Sequence, residues 1–594
     1  LSGEMGLEFG VKITNTFPVD VTRKELPSEE MYMSGKSLCA LSLTVACRLS
    51  KAFGGSLRIS YSGGADYYNI DRIYNLGIWP VTVATTLLKP GGYNRNVQMA
   101  EKLSRQEYRP FTGVDVEGLS RLIEDIKKDP HHVKPVKPLP SRKTEKKVPL
   151  LDCFTAPCME GCPIHQDIPA YIRLVGEGKH EEALEVILDK NPLPFMTGTL
   201  CNHRCMGKCS RNFYEEPVNI RSTKLKGAKG GYEAVMKKLM GKKKDAAEAA
   251  KSTGRTDKKT GKRVAIVGAG PAGIACASFL ARGGAQVKVF DRSENFGGTV
   301  RNVIPDFRID REAIARDVEL AKAYGAEFEG GVEIRDLSGL RAQGYDAIVL
   351  AIGARKGMPI GVDTEKEYNA VEFLEAAKTA PDSLELGKHV VVIGAGNTAM
   401  DAARMAKRMP GVEDVTVAYR RTKRYMPAEE EELLEAMEEG VIFRELLAPK
   451  TQKEGVLTCR KVVLGDMDES GRQRPVETEE EVRIPADSII ASLGERVDSG
   501  VYEGFGIALN EKGTPLLDPA TMETSQKGVY AIGDGAAKPA TIVLAIRDAR
   551  LAADAILNTG KSQALADSCD VEAAARKKGI LVHSHEVSGE EQRC

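Results

Sequence analysis

Six cysteines crowd into one short stretch of this chain. Cys153, Cys158 and Cys162 follow the spacing Cys-x4-Cys-x3-Cys-Pro, and Cys201, Cys205 and Cys209 follow Cys-x3-Cys-x3-Cys. Thiolates on short, irregular backbone converge on iron–sulfur clusters, and a proline directly after a cysteine, here Pro163, is a ferredoxin-like detail. Zinc is the rival, because four thiolates also satisfy Zn²⁺. Against it, His165 and His203 are isolated rather than set at zinc-finger spacing. Ordinary buried cysteines are the remaining reading.

Two glycine fingerprints follow. In the first, Val264–Val267 is a buried strand feeding Gly268-Ala269-Gly270-Pro271-Ala272-Gly273. Gly268 suits a tight turn, Gly270 lets a pyrophosphate approach the backbone, and Gly273 lets the helix pack on the sheet. That helix starts with Pro271 and Ala272 and presents free N–H groups to phosphate. Asp291 ends the next strand, 18 residues after Gly273, where a carboxylate meets a ribose hydroxyl. Gly297-Gly298 comes next, and far downstream Gly533-Asp534 ends a strand before a helix opening at Thr541-Ile542-Val543. A helix N-terminus there favours negative charge on a flavin ring. The set predicts FAD; an ordinary strand-end turn is the bland reading of Gly533-Asp534.

The second fingerprint, Gly394-Ala395-Gly396-Asn397-Thr398-Ala399, follows the strand His389–Ile393, with Asp401 on the helix beyond. The next strand ends in Arg420-Arg421. An acid there holds a free 2′-hydroxyl, whereas arginines suit a 2′-phosphate by charge and bidentate geometry. NADPH is therefore expected over NADH, against the alternative of a solvated strand end. Flavins convert a two-electron donor to one-electron carriers, so the three features describe one electron path.

These sites need several domains, and 594 residues supply them. The expected fold class is α/β multidomain: a partial β/α barrel, a helical two-cluster iron–sulfur domain, then an FAD domain with an inserted NAD(P)H domain, both Rossmann-like. The boundaries are barrel 1–112, Lys- and Pro-rich linker 113–149, cysteine domain 150–225, linker 226–262, FAD domain 263–386 and 496–562, NADPH domain 387–495, and tail 563–594. The insertion rests on a repeat. Asp346-Ala347-Ile348-Val349-Leu350-Ala351-Ile352-Gly353 resembles Asp487-Ser488-Ile489-Ile490-Ala491-Ser492-Leu493-Gly494, and the two bracket the second fingerprint. One helix is expected between the cysteine triplets, Ile168–Leu188, capped by Asp167.

The 84 basic and 84 acidic residues cancel, so no global field favours nucleic acid or an anionic membrane. No apolar run reaches spanning length and no signal peptide opens the chain. Twelve cysteines, half in one stretch, fit clusters in a reducing compartment, and the cytoplasm is the expected location. Leu1 and Cys594 at the two ends predict a piece of a longer chain.

From residue 150 to about 562 the chain resembles the glutamate synthase small-subunit family of flavoproteins. That family includes the N-terminal half of dihydropyrimidine dehydrogenase and the large subunit of transhydrogenating ferredoxin oxidoreductases. The resemblance rests on Cys158-x3-Cys162-Pro163, Val267 to Gly273, Ile304-Pro305-Asp306-Phe307-Arg308, Gly394-x-Gly396-Asn397-Thr398-Ala399-Met400-Asp401 and Tyr419-Arg420-Arg421-Thr422. It implies FAD, with Arg308 among its site residues, NADPH, and one or two [4Fe–4S] clusters. By the family pattern Cys153, Cys158 and Cys209 serve one cluster, while Cys162, Cys201 and Cys205 serve the other. Leu150 stands where the first cluster's opening cysteine belongs, and Lys224 where the second cluster often has Glu or Gln. The first 110 residues resemble the last part of a dihydroorotate dehydrogenase-like barrel. This implies FMN at Asn15, Gly63, Gly64 and Thr85, or a degenerate barrel that only docks. Barrel first and flavin half second is the order of the selenate reductase iron–sulfur flavoprotein subunit family.

The expected function is an NADPH-dependent FAD and iron–sulfur oxidoreductase passing electrons to a small-molecule substrate or an acceptor subunit, such as a molybdenum enzyme or a ferredoxin. Glutamate synthase-like and pyrimidine- or purine-reducing roles are alternatives within the class. A non-catalytic redox-sensing or assembly subunit is the alternative outside it. No acid or base catalyst is expected, because such proteins position cofactors and tune potentials.

Overall fold

A computed structural model describes residues 4–14, 16–20, 29–88, 92–108, 110–129, 131–132, 156–213, 216–253, 261–468, 472–536 and 541–558, without the side chains of 213 and 242–253. Asn15 and Cys153 lie outside the described residues. The chain forms two compact units, one of residues 1–139 with 209–218, the other of 140–208 with 219–594.

In the first unit, strand Gly10–Lys12 pairs in parallel with Arg58–Ser60, and Tyr61 bridges in parallel to Val81. Among the described residues this is a short run of barrel strands. A hairpin, Thr16–Asp20 with Glu30–Ser34, adds an antiparallel pair. Helix Cys39–Ala52 buries Leu43 and Ala46 against Ile59 and Ile73. The expected linker at 113–149 opens instead with helix Val116–Lys128, capped by Asp115 accepting from Gly118 N at 2.8 Å. Leu119, Leu122, Ile123 and Ile126 fall three or four apart and join the same core. The Lys- and Pro-rich stretch after residue 131 masks that period in the composition.

The second unit opens with helices around the cysteines. The expected single helix is two, Ile168–Gly176 and His180–Lys190. Gly178 adopts φ +76°. Lys179 N donates to Leu174 O and Gly178 N to Val175 O, a Schellman closure that ends the first helix. The expected linker at 226–262 is mostly the continuation of one helix, Ile220–Thr253. Its early turns bury Ala228, Tyr232 and Val235 against Leu184, Phe195 and Leu320.

Two five-stranded parallel sheets follow. The first runs Val529–Ala531, Ala347–Leu350, Arg263–Val267, Gln286–Phe290, Glu327–Glu329. The second runs Glu367–Asn369, Ser488–Ala491, His389–Ile393, Asp414–Tyr419, Ile442–Glu445. The repeat seen in the sequence is one device used twice. Asp346 accepts the Arg263 N–H at 2.7 Å, and Asp487 accepts those of Lys388 and His389 at 2.7 and 2.9 Å. Each acid thereby pins the start of its sheet's central strand. A four-stranded sheet built on Leu447–Lys453, Val456–Met467 and Gln473–Pro485 extends the second lobe.

Candidate functional site

At the first fingerprint, strand Arg263–Val267 turns at Gly268, whose φ is +109°. A Cβ there would stand 2.3 Å from Ala351 O, and one on Gly273 would stand 1.9 Å from Gly268 O. Gly270 differs: a Cβ on it would meet nothing nearer than Gly298 Cα at 3.9 Å. So two glycines are demanded by packing and the middle one faces open space. Gly270 caps helix Pro271–Arg282, with Pro271 in the first turn. Its unpaired N-terminal N–H groups open onto that space.

Distant segments close around it. Gly297 N donates to Ala269 O at 2.8 Å, and Gly298, at φ +55°, packs on Gly270. Gly533 packs on Ala272 and leads through Asp534. Thr541 accepts from Leu544 N and starts helix Ile542–Leu557. Asp291 is at the expected strand end, but its carboxylate accepts from Ala269 N at 2.6 Å and Ser293 N at 2.8 Å. It braces the phosphate loop, which the ribose expectation did not include. Asp548, unforeseen, accepts the Gly533 N–H; burial raises its carboxyl, opposed by Arg547. An open loop at a helix N-terminus, with side chains excluded on either side of an unobstructed centre, fits FAD.

At the second fingerprint Gly394 has φ +135°, and a Cβ on it would lie 2.2 Å from Ser492 O. Ala351 and Ser492 hold equivalent places in the repeat, so both lobes use the same glycine-to-carbonyl contact. Gly396 again faces open space, with nothing within 4 Å, and caps helix Asn397–Lys407. Thr398 is half-buried beside it, while the Asn397 amide oxygen accepts from Glu429 N at 2.8 Å and fastens the neighbouring loop. The dinucleotide fit holds here too.

Three expected site residues do other work. Arg420 is exposed, but Arg421 is buried, donating to Gln473 O at 2.9 Å and pairing with Asp468 at 3.2 Å. Neighbours at a strand end face opposite ways, so only one of the two reaches outward. Asp401 does not face the phosphate loop. It is buried and bound to Arg308, itself expected at the flavin. Arg308 also holds Glu432 at 2.5 Å, and Arg404 pairs with Glu435 and Glu439 at 2.5 and 2.6 Å. Phe307 lies under the Arg404 and Arg408 guanidiniums at 4.5 and 4.2 Å. This network ties the two lobes. Its sequence signal was the glutamate run from Glu429 to Glu432 opposite a helix bearing Arg404 and capped by Arg408.

Cys162, Cys201 and Cys205 line one cavity, together with Tyr171, Lys224 and Val543. The two cysteine loops cross closely, since a Cβ on Gly161 would stand 3.2 Å from Cys205 Cα. Gln166 Nε2 reaches Cys162 Sγ at 3.7 Å. Burial pushes the Cys205 thiol up to about 12, helped by Cys201 and Cys162 and opposed by Lys224. Burial also raises Tyr171, with Cys205, Cys162, Cys158 and Cys201 adding to it. Thiols that suppress one another's ionisation become good ligands once a multivalent cation joins them, and this donor set fits an iron–sulfur cluster. Cys158 sits on the short helix Pro157–Glu160. Cys209 is buried in the 209–218 segment of the other unit.

In the first unit, Gly63, Gly64 and Thr85 line one cavity with Lys36, Arg95 and His131. A Cβ on Gly63 would lie 2.4 Å from Ser42 Oγ and 2.8 Å from Thr14 O, and one on Gly64 would lie 2.7 Å from Gly35 O. These glycines are consumed by packing and give no open phosphate loop like those at Gly270 and Gly396. No step is assigned to an FMN here. His131 and Asp66, 2.7 Å apart on its wall, were not foreseen. Among the described residues no helix is long and apolar enough to cross a membrane.

Residues 1–134 match the family described as oxidoreductase YgfK, N-terminal TIM-barrel domain. Residues 143–226 match dihydropyrimidine dehydrogenase domain II, 4Fe-4S cluster, and residues 262–549 match pyridine nucleotide-disulphide oxidoreductase. The chain is 42% identical over 563 residues to the Escherichia coli K12 protein named as oxidoreductase YgfK, covering 94% of this chain and 53% of that one. It therefore spans about half the length of that curated relative. It is 36% identical to the NADPH-Fe(3+) oxidoreductase subunit beta of Geobacter sulfurreducens, over 69% of this chain and 65% of the relative. It is 33% identical to the glutamate synthase [NADPH] small chain of Escherichia coli K12, over 69% of this chain and 89% of the relative.

Proposed function

The chain belongs to the glutamate synthase small-chain family, and on that premise we propose that it takes electrons from NADPH through FAD and iron–sulfur clusters to a partner subunit. One observation carries the reading. Val543, on the helix start assigned to the flavin ring, lines the same cavity as Cys162, Cys201 and Cys205. When bound, FAD accepts a hydride from NADPH and releases electrons one at a time, the form that clusters carry.

The chain's own groups do the positioning. The N–H groups beyond Gly270 and Gly396 bind the two pyrophosphates. Asp291 holds the first loop open by fixing Ala269. Arg420 reads the 2′-phosphate, with Arg421 setting the strand end behind it. The start of helix Ile542–Leu557 would hold the flavin ring, and its Val543 lines the thiol cavity.

The acceptor class is a partner protein. The relatives named as a subunit beta and a small chain support this reading. The order of barrel and flavin half supports the finer one, delivery to an oxyanion reductase such as selenate reductase.

The test is an anaerobic absorbance titration with NADPH, then NADH. Prompt bleaching of flavin and cluster bands by NADPH is the expected result. A flavin that binds but bleaches with neither nucleotide sinks the reading and favours a sensor or scaffold. In the same assay Arg420→Ala should raise the NADPH concentration needed for half-reduction about 10- to 100-fold, the worth of one charge-assisted bond, and leave NADH unchanged. Equal losses with both nucleotides would remove the 2′-phosphate role.

A further inference from the structure

Lys224 has no part in the electron path so far, and its burial needs a reason. It is 3% exposed, on the second turn of helix Ile220–Thr253. Lysine is almost never buried without compensation, since desolvating an ammonium is costly. Its place is the wall of the cavity that holds Cys162, Cys201 and Cys205. Its charge eases the ionisation of the buried Asp317 carboxyl, which accepts from Phe195 N at 3.1 Å and Met196 N at 2.8 Å. Among the described residues lining this cavity there are three thiols, and a tetrahedral array of irons has four corners.

We propose that Lys224 stands, as a cation and not as a ligand, beside the one corner of the cluster that none of the described cysteines lining this cavity holds. The inference rests on the assignment of this cavity to a cluster. Two consequences follow from elementary electrostatics. A buried positive charge stabilises the reduced, more negative cluster, so Lys224 raises its reduction potential. The corner without a thiolate carries the iron most easily removed. A one-electron chemical oxidant such as ferricyanide takes it by [4Fe–4S]²⁺ → [3Fe–4S]⁺ + Fe²⁺ + e⁻, with the electron passing to the oxidant. Lys224 is thus a positioning residue that makes this cluster a willing acceptor from the flavin.

The test is potentiometric EPR on the intact, anaerobically purified holoprotein. Cys201→Ala first identifies the signal of this cluster. If no signal disappears, the cavity holds no cluster, and both the inference and the reading beneath it fall. With the signal identified, Lys224→Met should lower its midpoint potential and Lys224→Arg should leave it near that of the wild type. Should Lys224→Met fail to assemble the cluster, Lys224→Leu carries the same measurement. Ferricyanide should produce a three-iron signal in the wild type and not in Lys224→Cys, where a fourth thiolate is supplied. An unchanged potential in the Met or Leu variant, or a wild-type cluster that keeps all four irons, overturns the inference alone.

Discussion

Gly270→Ala is expected to give a folded protein that purifies without flavin. Gly270 has φ −78° and ψ −179°, extended backbone that alanine adopts without strain. Its Cβ would have no protein atom closer than 3.9 Å, so the apoprotein should keep its stability within about 0.5 kcal/mol. The same methyl occupies the space a pyrophosphate needs to reach the helix N–H groups. Losing two charge-assisted bonds at about 1.5–3 kcal/mol each predicts a fall in FAD affinity of more than about 100-fold. The ratio of flavin to protein absorbance and a fluorescence titration with added FAD read this directly, and full flavin content would refute it. Gly273→Ala is the contrast. A Cβ 1.9 Å from Gly268 O cannot be absorbed by a flexible side chain, so that variant should lose the fold with the flavin.

Arg308→Met should cost about 3–5 kcal/mol, more at pH 8 than at pH 5. Arg308 is the cation between two buried carboxyls, Asp401 and Glu432, and the Glu432 Oε2 has no hydrogen-bond partner. Burial pushes Glu432 up to about 7, with Asp401 and Glu435 adding to it and Arg308 and Arg404 opposing. Burial likewise raises Asp401, against the pull of Arg308. A carboxyl whose folded pKa lies above its unfolded value binds more protons in the native state. Its contribution is therefore present below about pH 4.5 and is lost as pH rises through about 7. Without Arg308 both carboxyls climb further, and the deficit against the wild type widens over that window. Thermal midpoints of the two proteins at pH 5 and pH 8 decide it. Equal deficits at the two pH values would mean that the guanidinium acts through packing on its neighbours and not through charge.

What was legible in the sequence was what is local. Each fingerprint needs only a strand, a turn and a helix in succession, and the acid-to-glycine repeat announced two similar sheets because each acid acts on the strand beside it. The misassigned residues were those whose work depends on distant partners. Arg420 and Arg421 are adjacent and alike in type, but Asp468 and Gln473 decide which is buried. Asp401 sits where a nucleotide contact is plausible until Arg308, 93 residues earlier, is brought against it. The split of the Ile168–Leu188 segment was the exception, since Gly176 and Gly178 were visible between its two halves.

The two sheets differ in where their edge strands come from, and this bears on synthesis. Every strand of the second sheet lies between residues 367 and 491, one unbroken stretch of chain. The first sheet takes four strands from residues 263–350 and its fifth from Val529–Ala531. On the ribosome the first lobe is begun early and completed late. It must carry the open edge of Ala347–Leu350 while the second lobe emerges. By folding, the second lobe returns the chain to that edge and shortens the loop that Val529–Ala531 must close. Gly533, delivered by the same strand, reaches Ala272 only then, so the flavin pocket is finished last although its glycines are translated first.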